Sequence, residues 1–453
     1  MTDALNIVDA APDRVEPPAA AARAEILRAP LVWDSLSYFG SKVVPGLMGL
    51  LSVPVFIRII GLDEYGRFAV IVPLLMAVAG ASSGWLAQGI LRFHPAAAER
   101  RRQVEFDRAV TRGILGSLLV TSIALGGVLA GLHYSAFVSL TALAFCLSLL
   151  TYTVGLAKFQ AQLKPTSVLR REIVRSIGGF LFPVMLVTIA GRKQFELLLL
   201  GQAVAYTIGF VPSLRRRNRS QRIGADISGA TSSYSGREIV GQLWRFGWAV
   251  GLWLLLSQLL PVIDRWVIQR STGYRSAGVY ASLYEIAIRS FSFLMFPLTQ
   301  AAHPRIMRSW NDGQVARAYE IIRSSIGYQA VIFLAVLVAV SVFAHRITAF
   351  ILGFDDRTAA RMLPLLIFGG FLWQLALLLH KPLEIMQRTG TMLAGMAAVV
   401  VLNFAASWLF IPRFGYEAAA YIFVLSACSY VAFTLCVTRF RALRTTPPVA
   451  EDC

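Results

Sequence analysis

Apolar runs of roughly 20 residues recur along the whole chain, each long enough to cross a ~30 Å hydrocarbon core as a helix. The spacing predicts six spans at about 35–59, 66–91, 112–132, 135–157, 172–191 and 194–214. Six more follow at about 243–267, 276–301, 325–344, 361–380, 389–411 and 416–438. A polar stretch, "RRRNRSQRIGADISGATSSYSGRE", separates the two sets. The pattern therefore predicts an all-α integral membrane protein of about twelve transmembrane helices, in two six-helix halves around a central cavity. The expected organisation is a disordered cytoplasmic tail (1–34), an N-terminal half (35–214), a cytoplasmic linker (215–242), a C-terminal half (243–438) and a cytoplasmic tail (439–453).

The halves echo each other. Gly66, Phe68 and Ala69 align with Gly278, Tyr280 and Ala281 at an offset of 212, and His94-Pro95 has a counterpart in His303-Pro304. Both matches fall at equivalent topological places. Two six-helix halves in one orientation are related by an axis along the membrane normal, and transporters built this way hold substrate between the halves.

Composition agrees with the periodicity. Of 453 residues 56% are hydrophobic and 15% charged, too little polar surface for a soluble protein of this length. The formal net charge is +18. Those cations sit mainly in short connections between apolar runs, as in "ERRRQVEFDRAVTR" and "RRRNRSQR", which argues against nucleic acid as a partner. Lys and Arg are concentrated in the connections that face the cytoplasm when the amino terminus is inside, so both termini are expected there. Residues 1–33 lack an apolar core of signal-peptide type, leaving the first span as targeting signal. Cys146, Cys428 and Cys436 lie in apolar runs and read as small buried hydrophobes.

Several charges fall inside the predicted spans. Glu285 and Arg289 are four residues apart and share a helix face. An ionised side chain at mid-bilayer costs about 2.5–3.5 kcal/mol even on lenient scales. Two readings stand: a structural salt bridge, or a cavity in which Arg289 attracts an anion and Glu285 sets its position. Lys42 lies two turns into the first span, Arg58 and Arg92 end the first and second, and Asp264-Arg265 closes the seventh after Pro261. Arg58, Arg92 and Arg265 can equally snorkel to headgroups. His94, His303 and His380 fall at helix ends and read as interfacial residues with no metal-site spacing. There is no GxxxxGK[ST], hence no ATP site, and no GxSxG, HExxH or paired-carboxylate constellation, so catalysis is not expected.

Four stretches resemble the polysaccharide (Wzx-type) flippases: "IIGLDEYGRFAVIVPLL", "PVIDRWVIQRSTGYRSAGVYASLYEIA", "FPLTQAAHPRIMRSWNDG" and "VVVLNFAASWLFIPRFGYEAAAYIF". Their order and spacing run from Ser35 to about Arg441, with a departure at Ala406 or Ser407, where a second Asn after Asn403 is usual, and another at Glu417. The same superfamily includes MATE-type multidrug exporters and lipid II flippases. The resemblance implies transfer of undecaprenyl-pyrophosphate-linked oligosaccharide from the cytoplasmic to the outer leaflet of a bacterial inner membrane, by alternating access, for O-antigen, capsule or exopolysaccharide. It further implies a cationic cavity, for which Lys42, Arg58, Arg92, Arg265 and Arg289 are the substrate-binding candidates. Glu285 and Asp264 are the candidates for a coupling H+ or Na+, with no cofactor or metal. Membrane lipid, a polysaccharide polymerase and export machinery are the remaining expected partners. The rivals are an ion-coupled multidrug exporter, whose cavity should be acidic, and a membrane polymerase or glycosyltransferase, which the short outside loops disfavour.

Overall fold

The computed structural model describes residues 20–99, 102–131, 133–210, 236–386 and 388–438, and among these it contains helices and short connections with no strand. The first half comprises α1 (Ala20–Ile60), α2 (Leu62–Glu99), α3 (Gln103–Gly131), α4 (Ala136–Ala161), α5 (Pro165–Ala190) and α6 (Phe195–Phe210). The second comprises α7 (Gly236–Asn311), α8 (Val315–Leu352), α9 (Arg357–Leu379), the short α10 (Lys381–Ile385), α11 (Thr389–Phe414) and α12 (Ala418–Thr438). Helices are what apolar sequence must form in lipid, because every backbone N–H and C=O has to be satisfied within the segment. Large apolar side chains such as Leu119, Ile123, Val331 and Val342 are more than 60% exposed on α3 and α8, a surface that lipid and not water would cover.

Short-range chemistry ends these helices where the chain must turn. Gly61 alone joins α1 to α2, at φ +88°, a conformation that excludes most side chains. Asp356 caps α9, its Oδ1 accepting from the N–H groups of Thr358 and Ala359 at 2.9 and 3.0 Å.

Ten described helices are long and apolar enough to cross a membrane, and α6 is a shorter apolar one. The expected twelve crossings are recovered because α7 carries two of them. Its apolar part, Arg237–Met295, is 59 residues long and would make a straight rod of about 90 Å, three times the hydrocarbon thickness. Gly273, with φ +89° and ψ 173°, breaks it into two limbs without an intervening loop. Two boundaries differ from expectation. Helix α1 begins at Ala20, so part of the tail expected to be disordered is helical; residues 1–19 lie outside the described residues. Helix α7 begins at Gly236, inside the expected linker, whose remainder, like the tail 439–453, lies outside the described residues. At both ends the helix continues past the apolar run, since helix propensity does not stop where hydrophobicity does.

The halves meet along α2 and α7. At one end Gly66 faces Gly278: a side chain on Gly66 would overlap the Tyr274 carbonyl, and one on Gly278 would lie 2.6 Å from the Leu62 carbonyl. Leu62 and Tyr274 are themselves equivalent at the offset of 212, as are Asp63 and Arg275, which pair at 3.7 Å. Residues in contact with their own counterparts lie on a two-fold axis, so the sequence repeat is also a spatial one. At the other end of α2, Trp85 packs against Gly247 on the first limb of α7.

Candidate functional site

Between these two contacts lies a cavity of about 450 Å³, within the range of small-molecule sites. Its walls come from α1, α2, α4, α5, α6 and both limbs of α7. Among the described residues the wall carries four cations, Lys42, Arg175, Arg265 and Arg289, and one carboxylate, Glu285.

Glu285 organises the second-half side of the cavity. Its Oε1 accepts from Arg265 Nη2 and its Oε2 from Arg289 Nε, both at 2.8 Å. Arg265 is 2% exposed; its Nη1 donates to the Ala69 carbonyl at 3.0 Å, and its guanidinium stands 5.2 Å from the Tyr284 ring centre. Its Nε is buried without a hydrogen-bond partner. Arg289, with a side chain 40% exposed, reaches across to α1 at Gly49, where a side chain would occupy the space of the guanidinium. The pair is therefore a salt bridge, and it also faces the cavity.

On the first-half side, Lys42 lies half-buried in the wall. Arg175 of α5, which sequence reasoning passed over, is held by Glu172: Nη2 and Nε both donate to Oε2, at 2.7 and 3.1 Å. The rings of Tyr152 and Tyr206 flank its guanidinium at 5.8 and 5.6 Å. The expected fifth span starts at 172, so Arg175 reads as an ordinary interfacial arginine in a first turn. In the structure α5 begins at Pro165 and Arg175 lies three turns in, which places it in the cavity.

Three of the five expected cations line the cavity, and two do not. Arg58, in the last turn of α1, lies exposed and donates from Nη2 to the Phe350 carbonyl at 2.6 Å. Carbonyls in the last turn of a helix such as α8 are a natural partner for a cation. Arg92 is exposed and stacks over Phe246 at 4.8 Å. Asp264 is not in the cavity wall either. Successive residues of a helix point about 100° apart, so Asp264 and Arg265 serve different interiors. Asp264 is buried between α7 and α11, accepting from Tyr280 Oη at 2.9 Å, Ser407 Oγ at 3.0 Å and Asn403 Nδ2 at 3.1 Å. Asn403 Oδ1 is buried there without a partner. Ser407, one of the positions that departs from the family pattern, is thus a ligand of Asp264.

His94 and His380 are buried, at 3% and 5% exposure, where interfacial residues were expected. His94 packs edge-on against Phe106 and lies 3.5 Å from the Gln162 amide, and His380 packs against Trp253 and Tyr430. The side chain of His303 lies outside the described residues. Cys146 is buried, whereas Cys428 and Cys436 are exposed on the face of α12, away from the expected interior. Among the described residues no three His, Cys, Asp or Glu side chains are grouped so as to hold a metal ion.

Paired six-helix halves with a charged cavity between them define a multi-pass membrane protein of the transporter and flippase fold. The chain belongs to the family described as polysaccharide biosynthesis protein, whose profile matches residues 31–310. Among solved structures it is similar to a multidrug resistance MATE family transporter of the MOP superfamily in an inward-facing conformation, with 14% identity, TM-score 0.61, and 90% of this chain and 96% of that one covered. It is similar to the lipid II flippase MurJ in an inward closed conformation, with 11% identity, TM-score 0.63, and 90% and 87% covered. A MOP superfamily transporter from Pyrococcus furiosus, described as having a binding pocket of reverse polarity that suggests a different function, matches at 15% identity and TM-score 0.58, with 95% and 100% covered. At these identities the likeness is one of fold. No curated protein matches the chain.

Proposed function

We propose that this protein is a flippase that carries an undecaprenyl-pyrophosphate-linked oligosaccharide from the cytoplasmic to the outer leaflet of a bacterial inner membrane, by alternating access, with both termini in the cytoplasm. The observation that carries this reading is the cavity wall, which among the described residues sets four cations against a single carboxylate. A pyrophosphate leaving water loses the hydration of about two negative charges, and guanidinium forks replace it with paired hydrogen bonds. The head group and its sugars occupy the cavity while the polyprenyl chain stays in lipid. Moving an anion out of a negative interior gains about 2.3 kcal/mol per charge per 100 mV, so membrane potential favours the step. The product feeds a polymerase and export machinery that build O-antigen, capsule or exopolysaccharide.

The best candidate for a coupling ion is Asp264 rather than Glu285. Both oxygens of Glu285 are taken by arginines. Asp264 accepts from hydroxyl and amide groups and not from those arginines, beside the unpartnered Asn403 Oδ1, an oxygen-rich setting that suits H+ or Na+.

A multidrug exporter is the alternative the fold allows. Such a protein handles cationic amphiphiles, and a wall with this excess of positive charge repels them. The reversed pocket polarity described for the Pyrococcus furiosus protein supports cavity charge, not fold, as what separates substrates here. The test is deletion of the gene and location of the accumulating intermediate. Single lipid-linked units held on the cytoplasmic leaflet, cleared by wild type but not by Arg289→Ala, are expected. Normal polysaccharide with new drug sensitivity would replace the flippase reading with the exporter.

A further inference from the structure

The first-half wall of the central cavity carries a second kind of chemistry beside its cations. Gln202 and Tyr206 of α6, four residues apart and so on one helix face, both line the cavity. Ser176 and Gly179 line it from α5, which packs against α6, and Phe145 of α4 and Ala205 complete this part of the wall.

Gln202 lies near the middle of α6, where a carboxamide turned to lipid would forfeit its hydrogen bonds to water. Turned to the cavity, it offers two N–H donors and a carbonyl acceptor to whatever enters. The Tyr206 ring is braced by Phe145 and Tyr152, edge to face, at 5.8 and 5.4 Å between ring centres. Ser176 Oγ donates to the Ile173 carbonyl at 3.1 Å and keeps its lone pairs as acceptors.

Gly179 stands inside α5, where glycine costs about 0.5–1 kcal/mol relative to alanine. Its neighbour Gly178 has a packing reason, since a methyl group there would meet the Phe182 ring at 2.8 Å. A methyl group on Gly179 would meet no described atom within 4 Å. The space in front of Gly179 is cavity, and the glycine keeps it clear.

An aromatic ring, a carboxamide and a hydroxyl around a clear space suit a sugar ring better than a phosphate. A pyranose rests its C–H face on aromatic carbon, and its hydroxyls both donate and accept. A phosphate only accepts, and guanidinium forks serve it best. Arg265 and Arg289 supply those forks from the second half.

We propose that this part of the wall is a sugar subsite, in which Gln202, Tyr206 and Gly179 select the sugar while Arg265 and Arg289 hold the pyrophosphate. The proposal rests on the central cavity being the site of the lipid-linked anion. Because both groups share one cavity of about 450 Å³, the sugar within reach is the one joined to the pyrophosphate. The head of the substrate then bridges the halves, with its sugar on the first and its phosphates on the second.

The test uses full-length protein in phosphatidylcholine nanodiscs, read by native mass spectrometry. It is titrated with polyprenyl pyrophosphate, either bare or carrying one glucose, galactose or N-acetylglucosamine. At least one glycosylated lipid is expected to bind about tenfold more tightly than the bare one, the reach of one or two hydrogen bonds. Gln202→Ala and Gly179→Leu, in protein of wild-type thermal stability, should each remove that preference and leave bare lipid within about threefold of wild type. Tyr206→Phe, which keeps the ring, should keep most of the preference. Equal affinity of the wild type for bare and all glycosylated lipids overturns the subsite, as does a preference that survives both variants. Equal weakening of bare and glycosylated lipid by Gln202→Ala and Gly179→Leu overturns it too. A preference lost in those variants, with bare lipid bound normally by Arg289→Ala, overturns the role of the arginines and leaves the sugar subsite standing.

Discussion

Gly66 and Gly278 pack reciprocally, each against the carbonyl four residues before the other, and they are the same position in the two halves. The contact brings the halves together at one end of the cavity with backbone against backbone. Gly66→Ala and Gly278→Ala should each destabilise the protein by about 1–3 kcal/mol, the range of overpacked contacts, and by similar amounts because the axis relates them. Each should also loosen this end of the cavity, so that a cysteine replacing Phe68 in the wall labels faster with an impermeant maleimide. Wild-type labelling and stability in both variants would refute a closed contact here.

Glu285→Gln removes the charge that Arg265 shares with Arg289 and leaves Arg265, 2% exposed, as a buried cation without its ion-pair partner. Breaking a buried pair costs about 3–5 kcal/mol, and the lower end is expected because the Glu285 side chain is 25% exposed to the cavity. Thermal unfolding measures the loss. Adding Arg265→Gln should restore part of it, whereas additive losses would mean that the pair does not act as a unit.

The guanidinium of Arg289 occupies the space that a side chain at Gly49 would fill. Gly49→Ala should therefore lower affinity for polyprenyl pyrophosphate about tenfold by displacing Arg289, and Gly49→Ala/Arg289→Ala should bind no more weakly than Arg289→Ala alone. Independent, additive losses would show that α1 and Arg289 contribute separately.

If Asp264 holds the coupling ion, Asp264→Asn should abolish any dependence of transport on sodium or pH while leaving headgroup binding within about threefold, since its network is separate from the cavity. Transport that keeps its wild-type ion dependence in this variant would exclude Asp264.

Arg58→Ala and Arg92→Ala serve as the contrast. Both side chains lie exposed outside the cavity, so each substitution should change transport less than about threefold and stability by under about 1 kcal/mol. A loss matching that of Arg289→Ala would place these arginines in the substrate path.

The fold was largely legible because lipid imposes one rule, a span of apolar residues per crossing, and this chain obeys it in twelve places. Charge depth was legible where it was extreme: Lys42, Arg289 and Glu285 are too far into their spans to be interfacial, and all three face the cavity. Charges near span ends were not, because depth alone does not give azimuth. Arg58 and Arg92 resemble Arg265 in the sequence, yet only Arg265 turns inward. Arg175 was hidden because the apolar run starts its span at 172 instead of 165, whereas the pairing of Asp264 with Ser407 depends on a contact between helices distant in sequence that no local pattern carries.

Gly273 joins two crossings with one residue and no loop. Topology mapping by inserted tags, reporter fusions or protease sites works wherever a connection can lengthen, and here none exists. An insertion after Gly273 would separate the two limbs that carry Arg265 and Glu285, so the tagged protein would report the geometry it had just lost. The turn after Arg308, through Gly313, or the one capped by Asp356 offers a tag somewhere to stand.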